Sequence, residues 1–198
     1  MTENAAAGRD LRELLSGGVA DAARSLLGCR LTTSFDDTTT EIVVGEVEAY
    51  GGADDPASHA YRGPTKRNRS MFREPGTLYV YRSYGVHWCA NIVTGSSGDP
   101  SAVLLRGGFP IVGVEAMEQR RARTDHLTDG PGKLCSALGI TGDHDGTSAL
   151  DGPVGLVWGE LPDTARIAAG PRIGITAATE RQWRFIAVPA GRSSLTAT

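Results

Sequence analysis

The chain has 198 residues, 40% hydrophobic and 22% charged, which suffices for one cored domain and excludes disorder by composition. Its longest apolar runs, such as Val103 to Leu105 and Leu156 to Trp158, fall far short of the about 18 residues a membrane crossing needs. The formal net charge of −3 would argue against a polyanionic partner, but it hides −7 over residues 1–58, +5 over 59–106 and −1 over 107–198.

Residues 1–17 read as an N-terminal tail and a short helix. The first eight residues are small and polar, then Leu11, Leu14 and Leu15 recur at helical spacing until Gly17-Gly18. MTENAAAGRD has neither a basic start nor an apolar stretch, and the expectation is a soluble protein of the cytoplasm. A second helix is predicted over about Val19 to Leu27, with Gly28 as its C-terminal cap. Strands are predicted over Arg30 to Phe35 and Thr40 to Tyr50, with a turn at Asp36-Asp37. Residues 51–76 are aperiodic and rich in Gly, Pro, Asp, Arg and Asn; a loop of that length is usually functional.

Thr77 to Arg82 and Val86 to Val93 predict a β-hairpin with Tyr84 at its tip, and Ala102 to Arg106 a further strand. A helix is predicted over Pro110 to Arg123 and a short one over Gly132 to Leu138. Strands over Val154 to Trp158, Arg172 to Thr176 and Trp183 to Val188 close the domain, and residues 189–198 read as a flexible tail.

Six basic residues fall between Arg62 and Arg82, beside Tyr61, Tyr79, Tyr81 and Tyr84. Basic residues interleaved with aromatics are a footprint of nucleic-acid contact, and equally of a solvated charged loop. Cys29, Cys89 and Cys135 are odd in number and widely spaced, which predicts free thiols and neither disulfides nor a zinc site. Period-two alternation places Ile42, Val44, Glu46 and Glu48 on one strand face, so two carboxylates follow two apolar residues. Either they lie at an exposed strand end, or they are paired or used at the margin of the core. Asp54, Asp55 and His59 match no established metal-ligand spacing, Asp143-His144-Asp145-Gly146 lacks the glutamate of a calcium loop, and Gly130-Pro-Gly-Lys133 is an incomplete P-loop.

Glu46-Val-Glu-Ala-Tyr50 followed by Tyr50-x-Gly52-x-x-Asp55-x-Ala57-x-His59 resembles the alkyladenine (3-methyladenine) DNA glycosylases. So do Arg67-Asn-Arg69-x-Met-Phe72, Pro75-Gly-Thr-Leu-Tyr-Val-Tyr81-x-x-Tyr84-Gly85 and Cys89-x-Asn91. Val103-Leu-Leu-Arg106, Gly130-Pro-Gly-Lys-Leu-Cys135 and Arg172-Ile-Gly-Ile175 complete an ordered set running from about residue 18 to 188. Each motif is weak alone; their order is specific.

The resemblance implies a glycosylase domain over 18–188 that flips a damaged purine out of duplex DNA and hydrolyses its N-glycosidic bond. It implies Glu48 as the carboxylate that activates water, with Arg106 and the main-chain carbonyl of Ile173 assisting. Tyr50, His59 and Tyr81 match the walls of the base pocket, where electron-poor alkylated purines stack on phenol rings. Asn91 matches the side chain that disfavours the 2-amino group of guanine, and Tyr84 the one inserted into the minor groove. Arg67 and Arg69 match DNA-backbone contacts. The substrates implied are duplexes carrying 3-methyladenine, 7-methylguanine, hypoxanthine or ethenoadenine, and neither metal nor organic cofactor is implied. Tyr79, His87, Trp88 and Trp183 read as packing residues.

Cleavage of the DNA backbone would need an amine to form a Schiff base, and Lys66 and Lys133 are the only lysines. Neither lies in the Glu48 strand or the tyrosine hairpin, which predicts a monofunctional enzyme using water; a borohydride-trapped adduct would overturn that reading. One departure stands out: Gly107-Gly-Phe-Pro110 replaces the family's Ala-x-Glu-Pro, which predicts a looser strand end behind Arg106. The expected fold is a single α+β domain with N-terminal helices, a curved, mostly antiparallel sheet and a protruding DNA-inserting hairpin. A monomer associated with the nucleoid is expected, its acidic N-terminal third turned away from DNA. The rival reading is a homologue that binds damaged or abasic sites without turnover.

Overall fold

The computed structural model describes residues 10–188, so the tail residues 1–9 and the tail expected over 189–198 lie outside the described residues. Two short helices come first, α1 (Leu11–Leu15) and α2 (Val19–Leu26). Asp10 caps α1 by accepting from the Arg12 N–H at 2.9 Å. Helix α2 buries Ala22, Ala23 and Leu26 along one stripe. Strands β1 (Arg30–Phe35) and β2 (Thr38–Tyr50) meet at Asp36 and Asp37, whose φ values of 48° and 61° are the left-handed pair that a two-residue hairpin needs. After the long loop, itself broken by 3₁₀ turns at Gly52–Asp54 and Arg69–Phe72, come β3 (Leu78–Ser83), β4 (His87–Thr94) and β5 (Ser101–Val112). Helices α3 (Val114–Arg121) and α4 (Pro131–Leu138) and strands β6 (Val154–Val157), β7 (Arg166–Gly170) and β8 (Arg184–Val188) complete the described residues.

The pairings are antiparallel, in the order β3-β4-β5-β2-β1-β6, with β8 added to β2 and β7 to β8. This is the expected α+β domain with a curled antiparallel sheet. No helix among the described residues is long and apolar enough to cross a membrane. β5 runs along one edge of β2; the other edge is shared, with β1 on Thr38–Val43 and β8 on Glu46–Glu48. The changeover falls at Gly45, where β2 also slips register against β5 on both sides of Glu46. A β-bulge changes which face successive residues occupy. Ile42 and Val44 therefore point into the main core before the bulge, and Val47 and Ala49 after it. Continuous alternation from Ile42 to Glu48 is corrected: the bulge turns Glu46 and Glu48 away from the face held by Ile42 and Val44.

The ring of Phe109 lies over the bulge: a Cβ on Gly45 would stand 2.8 Å from it, so a larger residue there requires the ring to move. Burial of side chains such as Leu31, Ile42 and Leu105, all at 0% exposure, contributes about 1.5–3 kcal/mol each. Cys29, Cys89 and Cys135 are buried free thiols.

Three expected elements need correction. The predicted strand ending at Arg106 continues to Val112, and the helix predicted from Pro110 starts only at Val114. Pairing with β2 overrides local helix propensity, and Pro110, which lacks an N–H, sits at a register shift opposite Ile42. The strand predicted over Arg172 to Thr176 is irregular backbone, bent at Gly174 (φ 74°). The strand of that region is instead β7, Arg166–Gly170, which pairs with β8.

Candidate active site

The second half of β2 carries Glu46, Glu48 and Tyr50 at the margin of the sheet. Glu48 is 0% exposed, so its charge depends on the donors around it. Its Oε1 accepts from the Ile173 N–H at 2.7 Å and lies 3.2 Å from Arg106 Nη1. Its Oε2 accepts from the Tyr50 hydroxyl at 2.9 Å. Arg106 is aimed from behind: its Nε donates to Glu46 Oε1 at 2.9 Å, and the same oxygen accepts from Arg184 Nε at 2.7 Å. Burial works against the Arg106 cation, but the Glu48 and Glu46 carboxylates outweigh it and raise its pKa above the ordinary arginine value. Burial, then the neighbouring Glu48 charge, pushes the Tyr50 phenol well above its usual range, keeping it a hydrogen donor.

These groups border a cavity of about 590 Å³ walled by Tyr50, His59, Tyr81, Asn91, Arg106 and Ile173, among others. His59 packs edge-on against Tyr81, with centroids 4.6 Å apart and planes at 81°, and Tyr81 stacks on Tyr79 at 5.4 Å. His59 Nδ1 lies 3.0 Å from the Tyr79 hydroxyl. Burial, then the Arg67 cation, lowers the His59 pKa, so the ring is neutral at neutral pH. Burial pushes the Tyr79 phenol up to about 12. Asn91 is anchored by its Nδ2 donating to the Tyr79 carbonyl at 2.9 Å. Glu48 itself is not on the cavity surface, but each of its three donors is.

The β3–β4 hairpin lines the cavity with its tip, Ser83 to Gly85. Tyr84 sits at its tip in the left-handed region (φ 49°), followed by Gly85 (φ 70°), and is 96% exposed. A large aromatic held almost fully in water on the three-residue turn Tyr84–Val86 has no folding role to explain it. Arg67 lies 5.1 Å over the Tyr81 ring at the cavity rim, whereas Arg69 is exposed on a 3₁₀ turn outside the cavity lining.

The sequence profile of the methylpurine-DNA glycosylase (MPG) family matches residues 13–189. The chain belongs to the methylpurine-DNA glycosylase family. It is 50% identical over 173 residues to a Granulibacter bethesdensis protein named "Putative 3-methyladenine DNA glycosylase", covering 84% of this chain and 78% of that one. A Methanoculleus marisnigri protein of the same name is 48% identical, covering 82% and 86%. A third of that name, from Frankia casuarinae, is 49% identical, covering 72% and 73%.

Within this methylpurine-DNA glycosylase family member, Tyr50, His59, Tyr81, Asn91 and Arg106 meet at one cavity that Tyr84 also lines, with Glu48 behind Tyr50 and Arg106. Ile173 meets Glu48 through its N–H. One expectation changes. Gly107 to Pro110 do not loosen the strand behind Arg106: they continue β5 against β2, and Thr128 Oγ1 donates to the Gly108 carbonyl at 2.7 Å. A Cβ on Gly108 would come within 2.5 Å of the Val43 carbonyl, so the glycine serves close strand approach.

Other side chains had roles that spacing did not reveal. Tyr79 is a packing residue, 1% exposed, but its hydroxyl also fixes His59. His87, read as buried packing, is exposed and rests against Gly132. Trp88 and Trp183 do pack on the core. Asp55, weighed as a metal ligand, is bound in a fully buried ion pair by Arg172. No sequence signal joined residues 117 positions apart. Among the described residues, no three His, Cys, Asp or Glu side chains are grouped to hold a metal ion.

Proposed function

We propose that this chain hydrolyses the N-glycosidic bond of alkylated or deaminated purines flipped from duplex DNA, with water activated by Glu48. The observation that carries the reading is the Glu48 carboxylate, buried at the edge of an aromatic-walled cavity and held by three donors. An ionised carboxylate has about four acceptor positions, so three donors leave one for a water. That water would lose its proton to Glu48 as it attacks C1′, while the carboxylate and Arg106 set the field around an oxocarbenium-like transition state. The flipped purine would stack among Tyr50, His59 and Tyr81, with Tyr84 filling the gap in the helix. Arg67 and Arg69 would meet the phosphates, and Asn91 would disfavour guanine.

The substrate class proposed is 3-methyladenine, 7-methylguanine, hypoxanthine and ethenoadenine in duplex DNA. Lys133 is paired with Asp129 at 3.0 Å, and neither it nor Lys66 lines the cavity, which supports water as the nucleophile and base release without strand cleavage. The enclosure of Glu48 behind its donors favours a second reading, a homologue that binds flipped or abasic nucleotides without turnover. A panel of duplexes, each with one lesion, assayed for free base decides between them. Release by the wild type but not by Glu48→Gln supports hydrolysis; tight binding without release supports the second.

A further inference from the structure

The groups that touch Glu48 are visible in the cavity wall, but one of them is held by a residue that is not. Ile173 lies in irregular backbone, so no strand ladder fixes its N–H against the carboxylate. The residue before it, Arg172, is fully buried along its side chain. Arg172 Nη1 donates to Asp55 Oδ2 at 2.5 Å and to the Ala49 carbonyl at 2.9 Å, and Nη2 donates to Asp55 Oδ1 at 2.8 Å. Asp55 also accepts from the N–H groups of Gly51 and Ala57 at 3.1 and 3.3 Å. The guanidinium faces the Tyr50 ring at 4.7 Å and the Trp183 ring at 5.4 Å.

The two main anchors of Arg172 lie close in the chain to site residues. Ala49 separates Glu48 from Tyr50, and Asp55 heads the loop that delivers His59. A buried ion pair is weak evidence for stability, because desolvation offsets most of the attraction. Here the cost goes further, since Arg172 Nε is buried with no partner. What the two-pronged clamp does supply is a fixed origin for the chain at Ile173.

We infer that Arg172 is a positioning residue: gripped by Asp55, it sets the Ile173 amide on Glu48 and braces the face of Tyr50. The inference rests on the reading of Glu48 as the group that activates water. Arg172 acts through these neighbours and is not itself part of the cavity wall.

The test is single-turnover release of hypoxanthine from a duplex with one such base, comparing wild type, Arg172→Lys, Arg172→Met and Asp55→Asn. Competent molecules are counted by titration with a duplex holding a tetrahydrofuran abasic analogue, and melting is recorded in parallel. Small displacements of reacting groups cost about 100-fold in rate, so Arg172→Lys is expected to fall by about that factor per competent molecule. The protein concentration for half-maximal rate stays within about threefold of wild type, since DNA contacts are untouched. Arg172→Met falls further than Arg172→Lys, because lysine keeps the charge but not the fork. If Arg172→Met does not fold, Arg172→Lys and Asp55→Asn carry the test. Variants that melt lower yet keep the wild-type rate per competent molecule overturn the inference and leave the clamp a structural pair. Should Glu48→Gln release base as fast as wild type, the reading of Glu48 falls and takes this inference with it. Should Glu48→Gln be inactive while the Arg172 variants match wild type, the inference alone falls.

Discussion

The two halves of β2 are built on the same alternating backbone and end in opposite environments. Before Gly45, alternate side chains Ile42 and Val44 enter the main core and the strand edge is taken by β1. After it, Val47 and Ala49 take over the core positions and β8 replaces β1, while Glu46 and Glu48 pair with Arg106 and Tyr50 lines the cavity. A single bulge therefore divides a stabilising half from a chemical half. The site can afford a buried carboxylate because the neighbouring half of the same strand is anchored by apolar packing.

The sharpest way to break that division is to neutralise one residue on each side of the bulge. Glu48→Gln is expected to lower single-turnover base release by about 100- to 1,000-fold while melting near wild type, the scale seen when one preorganised charged group is lost from a site. Ile42→Ala is its mirror image: stability in denaturant falls by about 3 kcal/mol, and the rate per folded molecule is unchanged. If Ile42→Ala slowed the chemistry as much as it weakened the fold, the halves would not be separate.

The bulge itself is tested by Gly45→Val, which drives a side chain into the Phe109 ring. A loss of about 2 kcal/mol is expected from overpacking, recovered in part by adding Phe109→Ala. No recovery would mean that Gly45 is needed for its backbone and not for its neighbour.

The smallest effect concerns pH. Because burial and Arg67 lower the pKa of His59 below its ordinary 6.5, the unfolded chain binds that proton more readily than the folded one. Stability is then unaffected above about 6.5 and falls as pH drops through the lowered folded value. His59→Gln should remove that part of the acid-side decline, read as the difference between melting curves of the two proteins from pH 7 to 5.

Much of the site was legible because its chemistry needs particular side chains in local runs. Glu48 and Tyr50 lie two apart on one strand, and Tyr79, Tyr81 and Tyr84 on one hairpin. Asp36-Asp37 and Gly85 declared their turns through residues that tolerate positive φ. The Pro110 helix and the Arg172 strand were misread because pairing partners and side-chain anchors, not local propensity, decide those segments.

By itself the sequence determined most of the strands, the hairpin, the family motifs and the residue types at the site, since periodicity and turn chemistry act over a few residues. Tertiary structure alone decided the bulge at Gly45, the shared edge of β2, the Glu46 link between Arg106 and Arg184 and the Asp55–Arg172 clamp. Those features depend on contacts between residues tens to more than a hundred positions apart, and nothing in the local pattern of a chain encodes which distant donor will reach which buried charge.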